Sequence, residues 1–224
     1  MKTDKNRVVI TGMGAITPLG IGIEETWNAL LAGRSGIKRI TRFDVSNFPT
    51  QFAGEVPNFD PRDYMDFREA KRTGRFTQLA VVATQEAIRD AALDLSQVDT
   101  TRVGLEIGTA IGGIDLIEEQ SIIFHQKGPG RINPTLVPVV IANAAPCHIA
   151  ISLGIKGPTS SPVAACATGA VAIGEALRKL QNWEADVMIA GGTEAANSPL
   201  ALAAFSRLGA LSTRNAEPEK ACRP

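Results

Sequence analysis
The chain reads as an α/β fold, one whose strands are joined through helices. Two observations predict this class. Short β-branched runs alternate with longer segments whose apolar residues recur at helical spacing. One of the short runs, Val187-Met188-Ile189-Ala190, is apolar throughout, as in a strand of a sheet covered on both faces.

The elements follow in order. Val8-Val9-Ile10-Thr11 reads as a first strand, followed by a Gly-rich turn and a helix over 23–31 that Gly33 ends. A loop-rich insertion begins at about 36. Pro49, Pro57 and Pro61 punctuate it up to Arg68, and with the charged run behind it the inserted region spans about 36–75. The next helix covers 76–93, where Leu79, Val82, Ala83, Ala87, Ile88 and Ala91 make one apolar face. A strand over 103–107 and a helix over 114–124 come next, then a helix over 143–153. A strand over 159–165 leads into a helix over 167–180, and 187–190 is the last strand.

Composition bounds the function classes. With 224 residues, 44% of them hydrophobic, the chain can bury a sizeable core as one domain spanning 1–224. Lys plus Arg and Asp plus Glu both number 23, so nothing recommends nucleic acid as a partner. No apolar run approaches the ~20 residues that span a bilayer, and Met1 to Asn6 leads straight into a strand-like segment instead of a signal-peptide core. These features predict a cytoplasmic protein without membrane insertion. Cys147, Cys166 and Cys222 form neither a CxxC pair nor a dense framework, so neither structural disulfides nor a metal site is expected.

Cys166 is the candidate nucleophile. It stands in Val163-Ala164-Ala165-Cys166-Ala167-Thr168-Gly169-Ala170, where an apolar run ends and a helical pattern begins. A thiol at a helix start lies near the positive end of the dipole, which favours thiolate, and beside N–H groups suited to a thioester oxyanion. Small residues on both sides leave room for a substrate, and Gly169 permits close backbone approach. The competing reading is a buried cysteine acting as a small apolar side chain. Strand, elbow and helix is also the arrangement that exposes a nucleophile.

Gly12-Met13-Gly14 follows a strand-like run as a dinucleotide fingerprint would. The third Gly is missing, because Thr17-Pro18 occupies its region, so no nicotinamide cofactor is expected.

The elbow Ala165-Cys166-Ala167-Thr168-Gly169-Ala170 resembles that of the β-ketoacyl-acyl carrier protein synthases, condensing enzymes with a thiolase-like layered αβαβα fold. The resemblance runs the length of the chain. It includes Arg7 to Gly14 with Thr17-Pro18-Leu19-Gly20, then Gly108-Thr109-Ala110-Ile111-Gly112-Gly113 and Gly154-Ile155-Lys156-Gly157-Pro158. Ala190-Gly191-Gly192-Thr193-Glu194 and Ala210 to Asn215 complete it. The pattern looks most like the elongating bacterial enzyme of the second type, of which this chain supplies the N-terminal half.

The resemblance implies acyl transfer from a carrier-protein phosphopantetheine to Cys166, then decarboxylative condensation with malonyl-carrier protein in fatty-acid biosynthesis. It implies no cofactor beyond the phosphopantetheine that arrives on the substrate. Its partners are acyl carrier protein, acyl and malonyl thioesters, and a second copy of the chain, paired through the strand before the elbow. The family's two histidines and a lysine belong to a second half that this sequence does not contain. His125 and His148 match neither motif, and His148, on an Ala-rich helix, reads as a packing or interface residue. The chain alone is therefore expected not to condense. By resemblance Ile111 lines the acyl pocket, Phe205 lies near it, and Leu136 reaches toward the acyl tail across a dimer interface, where an aromatic residue is common in the family. Ordinary core packing explains all three equally well. Arg68, Lys71 and Arg72, in the densest positive run of the chain, fall where the acidic carrier protein docks; a solvated surface is the alternative. Two other classes remain open: a non-catalytic binding or dimerising subunit, and a polyketide synthase or thiolase-like acyltransferase with the same chemistry.

Overall fold
The computed structural model describes residues 7–223; the segment 1–6, read as free of a signal-peptide core, and Pro224 lie outside the described residues. A short antiparallel pair, β1 (Ile16–Thr17) and β2 (Gly20–Ile21), precedes α1 (Ile23–Leu31). Glu24 and Glu25 sit in the first turn of α1, where negative charge suits the dipole, and Gly33, at φ 63, follows its end. A second antiparallel hairpin, β3 (Ile37–Arg39) with β4 (Phe52–Gly54), and α2 (Phe67–Lys71) lie in the stretch that sequence leaves as loop. Then come α3 (Arg75–Asp90), β5 (Val103–Gly108), α4 (Ile114–Lys127), α5 (Leu136–Val140), α6 (Ala144–Leu153), β6 (Thr159–Ser160), α7 (Thr168–Gln181), β7 (Val187–Gly192) and α8 (Pro199–Arg207).

The central sheet is parallel in the order β6-β5-β7. Every residue of β5 is buried. Its alternation assigns the two faces: Val103, Leu105 and Ile107 join Phe76 and Leu79 of α3 and Ile149 of α6 in the main core, while Glu106 and Gly108 meet α7. Glu106 is 0% exposed; it accepts the Ser160 hydroxyl at 2.7 Å and lies 3.6 Å from the Lys179 ammonium. An isolated carboxylate would be costly there, so the cation and hydroxyl together hold β6, β5 and α7 in one register.

Three expectations need correction. Val8-Val9-Ile10-Thr11 forms no strand, and Val9 and Ile10 are 63% and 80% exposed. Strand character exists only through pairing, and this run has no ladder partner among the described residues. Its neighbours Gly12 and Gly14 instead press on the backbone of α3, where an added Cβ would come within 2.4 Å of Ala87 O and 2.0 Å of Ala83 O. The strand expected over 159–165 stops at Ser160, because Pro162 has no N–H to give a ladder and Ala165 turns into the left-handed region at φ 49. The strand β7 is only half-buried, being paired on one side alone among the described residues, so its apolar run overstates its cover.

Candidate active site
Small residues decide how closely α7 approaches the sheet, and so where Cys166 stands. A Cβ on Gly192, the last residue of β7, would lie 3.0 Å from Gly169 Cα in the first turn of α7. A Cβ on Gly108, the last residue of β5, would lie 2.2 Å from Pro162 O and 2.4 Å from Thr168 Cγ2. The elbow is thus seated on the carboxyl ends of two parallel strands, the edge where open α/β sheets hold ligands.

Cys166 is exposed, which removes the reading of a buried, inert thiol. It follows Ala165, whose positive φ costs a residue with a Cβ about 1–2 kcal/mol. Thr168 bridges the turn: its Oγ1 accepts from Ala164 N–H at 2.9 Å and donates to Ala165 O at 2.7 Å. The elbow motif contained this threonine, but a spacing of two from the cysteine gave no sign that its hydroxyl folds back over the turn.

The turn after β5 carries Ile111, which is 39% exposed. Glu194, just past β7, holds this turn: its carboxylate accepts from Ala110 N–H at 3.0 Å, Ile111 N–H at 3.2 Å and the Thr109 hydroxyl at 3.2 Å. Gly112, at φ 74, then packs against α5, where an added Cβ would come 2.6 Å from Val140 O. Leu136, half-buried, begins that helix. Cys166 and Ile111 therefore both stand beyond the carboxyl ends of the sheet, and α5, which Leu136 begins, packs on the Ile111 turn through Val140. Phe205 does not join them. It lines a separate cavity of about 520 Å³ with Ile40, Phe43, Leu202 and Leu211, which none of the other three lines.

Arg68 and Lys71 project from α2 and Arg72 caps its end, all three exposed. Asp66 accepts the first free N–H groups of this helix, from Arg68 at 2.7 Å and Glu69 at 2.9 Å. Glu69 turns inward to His148 Nε2 at 2.6 Å, which leaves the outer face cationic and gives that histidine a packing partner. Arg75 is withdrawn from the run: burial lowers its pKa, and its guanidinium lies 5.0 Å from the centre of the Phe59 ring. Among the described residues, no group of three or more His, Cys, Asp or Glu is placed to hold a metal ion. Also among them, no helix is long and apolar enough to cross a membrane.

The model of the β-ketoacyl synthase N-terminal domain matches residues 5–224. The chain belongs to the β-ketoacyl synthase family. This synthase domain is 48% identical over 221 residues to the 3-oxoacyl-[acyl-carrier-protein] synthase 2 of Synechocystis, covering 99% of the chain and 53% of the relative. It spans about half the length of the curated relatives it matches. A β-ketoacyl synthase from Burkholderia phymatum superposes with a TM-score of 0.85 at 30% identity, over 97% of this chain and 54% of the other. A type II polyketide ketosynthase, solved in complex with its acyl-carrier protein, shares the fold at a TM-score of 0.77 and 22% identity, over 90% of this chain and 54% of its own. The synthase domain thus has the thiolase-like α/β fold of these ketosynthases.

Proposed function
We propose that this domain carries the acyl-accepting nucleophile of a 3-oxoacyl-acyl carrier protein synthase of fatty-acid elongation. The observation that carries the reading is the exposed thiol of Cys166 on a left-handed elbow at the start of α7, over the carboxyl ends of β5 and β7. In the first stage the Cys166 sulfur attacks the thioester carbonyl of an acyl chain. The new C–S bond forms as the old one breaks, and phosphopantetheine leaves as a thiol with the proton that Cys166 lost. The backbone N–H of Cys166 takes the developing oxyanion. In the second stage malonyl-carrier protein loses carbon dioxide, and its carbanion attacks the enzyme thioester to give a 3-oxoacyl chain two carbons longer. That stage needs the histidines and lysine that the family resemblance assigns outside this sequence, so acyl transfer is the activity proposed for the 224 residues themselves. No cofactor enters beyond the carrier's phosphopantetheine.

The exposed cations Arg68, Lys71 and Arg72 are the proposed docking site for acidic acyl carrier protein. Ile111 and Leu136 are the proposed acyl-pocket residues; Phe205, which lines the separate cavity, is not proposed among them. The outer edge of β6 is unpaired and exposed among the described residues, which supports homodimerisation through that strand. A cytoplasmic location fits these soluble partners. The polyketide neighbour keeps a second reading open, in which the same thiol accepts a polyketide chain. Incubation with acyl-carrier protein, followed by mass mapping of Cys166, tests the proposal. Acylation at Cys166 that Cys166→Ser and Cys166→Ala abolish supports it, and transfer undiminished in either variant removes it.

A further inference from the structure
The hydroxyl of Thr168 bonds backbone groups upstream and downstream of the φ torsion of one strained residue, Ala165. Ala164 N–H precedes Ala165 and Ala165 C=O follows it, and both are bonded to the same oxygen. Thr168 is 4% exposed, so water does not readily replace either bond. Its methyl faces Gly108 on β5, which ties the side chain to the sheet on one side and to the elbow on the other. Two backbone bonds also cross the turn, from Ala167 N–H to Ala164 O at 3.0 Å and from Thr168 N–H to Ala165 O at 3.1 Å. Without the hydroxyl these alone oppose relaxation of Ala165 from φ 49 toward ordinary backbone, a rotation that would swing the next residue, Cys166, off the end of the sheet.

We propose that Thr168 is a positioning residue for Cys166, fixing the elbow so that the thiol and the Cys166 N–H face one substrate carbonyl together. This rests on the reading of Cys166 as nucleophile. Thr168→Val keeps the shape and the methyl facing Gly108 while removing both hydrogen bonds; Thr168→Ser keeps the bonds.

The full 224-residue chain is treated separately with iodoacetamide and with an acyl-N-acetylcysteamine thioester, and Cys166, Cys147 and Cys222 are read individually by peptide mass mapping. Acyl transfer forms the Cys166 thioester and releases N-acetylcysteamine as its thiol. In Thr168→Val, acylation of Cys166 is expected to slow about tenfold or more, since misplacement of a reacting group on the scale of an ångström costs that much. Iodoacetamide needs no oxyanion donor, so its rate at Cys166 falls less, while Cys147 and Cys222 react as in the parent. Thr168→Ser returns acylation to within about twofold of the parent rate, as expected if the hydroxyl supplies the effect. Should Cys147 and Cys222 change reactivity in the valine variant, signalling misfolding, Thr168→Ala replaces it with the same expected loss. Parent-like acylation in the valine or alanine variant, or a serine variant no faster than valine, overturns the positioning role and leaves the nucleophile standing. A parent chain that alkylates at Cys166 yet never accepts the acyl group overturns both.

Discussion

Glu194 holds Ile111 by its backbone: the carboxylate past the end of β7 accepts the Ile111 N–H at 3.2 Å, beyond the end of β5. The same oxygen takes the Ala110 N–H at 3.0 Å, so one side chain shapes the turn that presents Ile111. Bonds to an ionised carboxylate are worth about 1.5–3 kcal/mol each. Glu194→Ala is therefore expected to speed hydrogen exchange at Ala110 and Ile111 by about tenfold or more, with β5 itself unaffected. Unchanged exchange at the two amides would mean that the turn holds its shape without the carboxylate.

Gly108 allows the elbow to rest on β5. In Gly108→Ala the new methyl would meet Pro162 O at 2.2 Å and Thr168 Cγ2 at 2.4 Å, one of them backbone that cannot rotate away. Overpacking of this kind costs about 1–3 kcal/mol. A lowered thermal midpoint is expected, together with weaker acylation of Cys166. Gly130, where an added Cβ meets nothing within 4 Å, is the control, and its alanine variant should behave as the parent.

The cationic face of α2 gives a salt-dependent prediction. Reversal of Arg68 and Lys71 to Glu should lower the association rate with acyl carrier protein by about tenfold at low ionic strength, and the difference should shrink as salt is added. Surface plasmon resonance at two salt concentrations measures this. An association rate insensitive to both salt and charge reversal would exclude docking on this face.

Asp60 supplies an acid-sensitive contribution to stability. Hydrogen bonds from the Arg62 side chain, then from its backbone N–H, lower the Asp60 pKa from 3.8 to about 2. The folded state therefore binds this proton less readily than the unfolded state, so the stabilisation is present above the unfolded value and is lost as pH falls through the folded one. In Asp60→Asn the decline of stability between about pH 4 and pH 2 should be shallower than in the parent, measured by denaturant titration at each pH. Parallel declines in the two proteins would show that this pair makes no net contribution.

The helices over 23–31 and 143–153 were legible because their apolar spacing, glycine stops and small-residue content are local properties. The helix over 114–124 extends to Lys127, where Gly128 at φ 78 ends it, and the helix over 76–93 stops at Asp90. Short elements escaped. Leu136–Val140 contains Pro138, and Pro199–Arg207 carries an apolar pattern broken by alanines, so neither offers a strong period. The elbow cysteine was legible from the order of its neighbours, an apolar run ending where a helical pattern begins, whereas the roles of Thr168 and Glu194 were not, since each acts on backbone groups that folding brings within reach.

The sequence by itself determined the alternation of strands and helices, the placement of Cys166 at a helix start, the glycines at the strand ends and the family to which these motifs belong. Those are properties of neighbouring residues, set by φ/ψ preference, side-chain size and apolar period. Only the tertiary structure decided that Val8 to Thr11 goes unpaired among the described residues, that Ser160 ends its ladder, that Phe205 lines a separate cavity, and that Glu194 and Thr168 fix the turns around the nucleophile. Each of these depends on which distant groups meet. Hydrogen-bond partners and close packing are settled by the assembled sheet and helices, and no local preference of the chain encodes them.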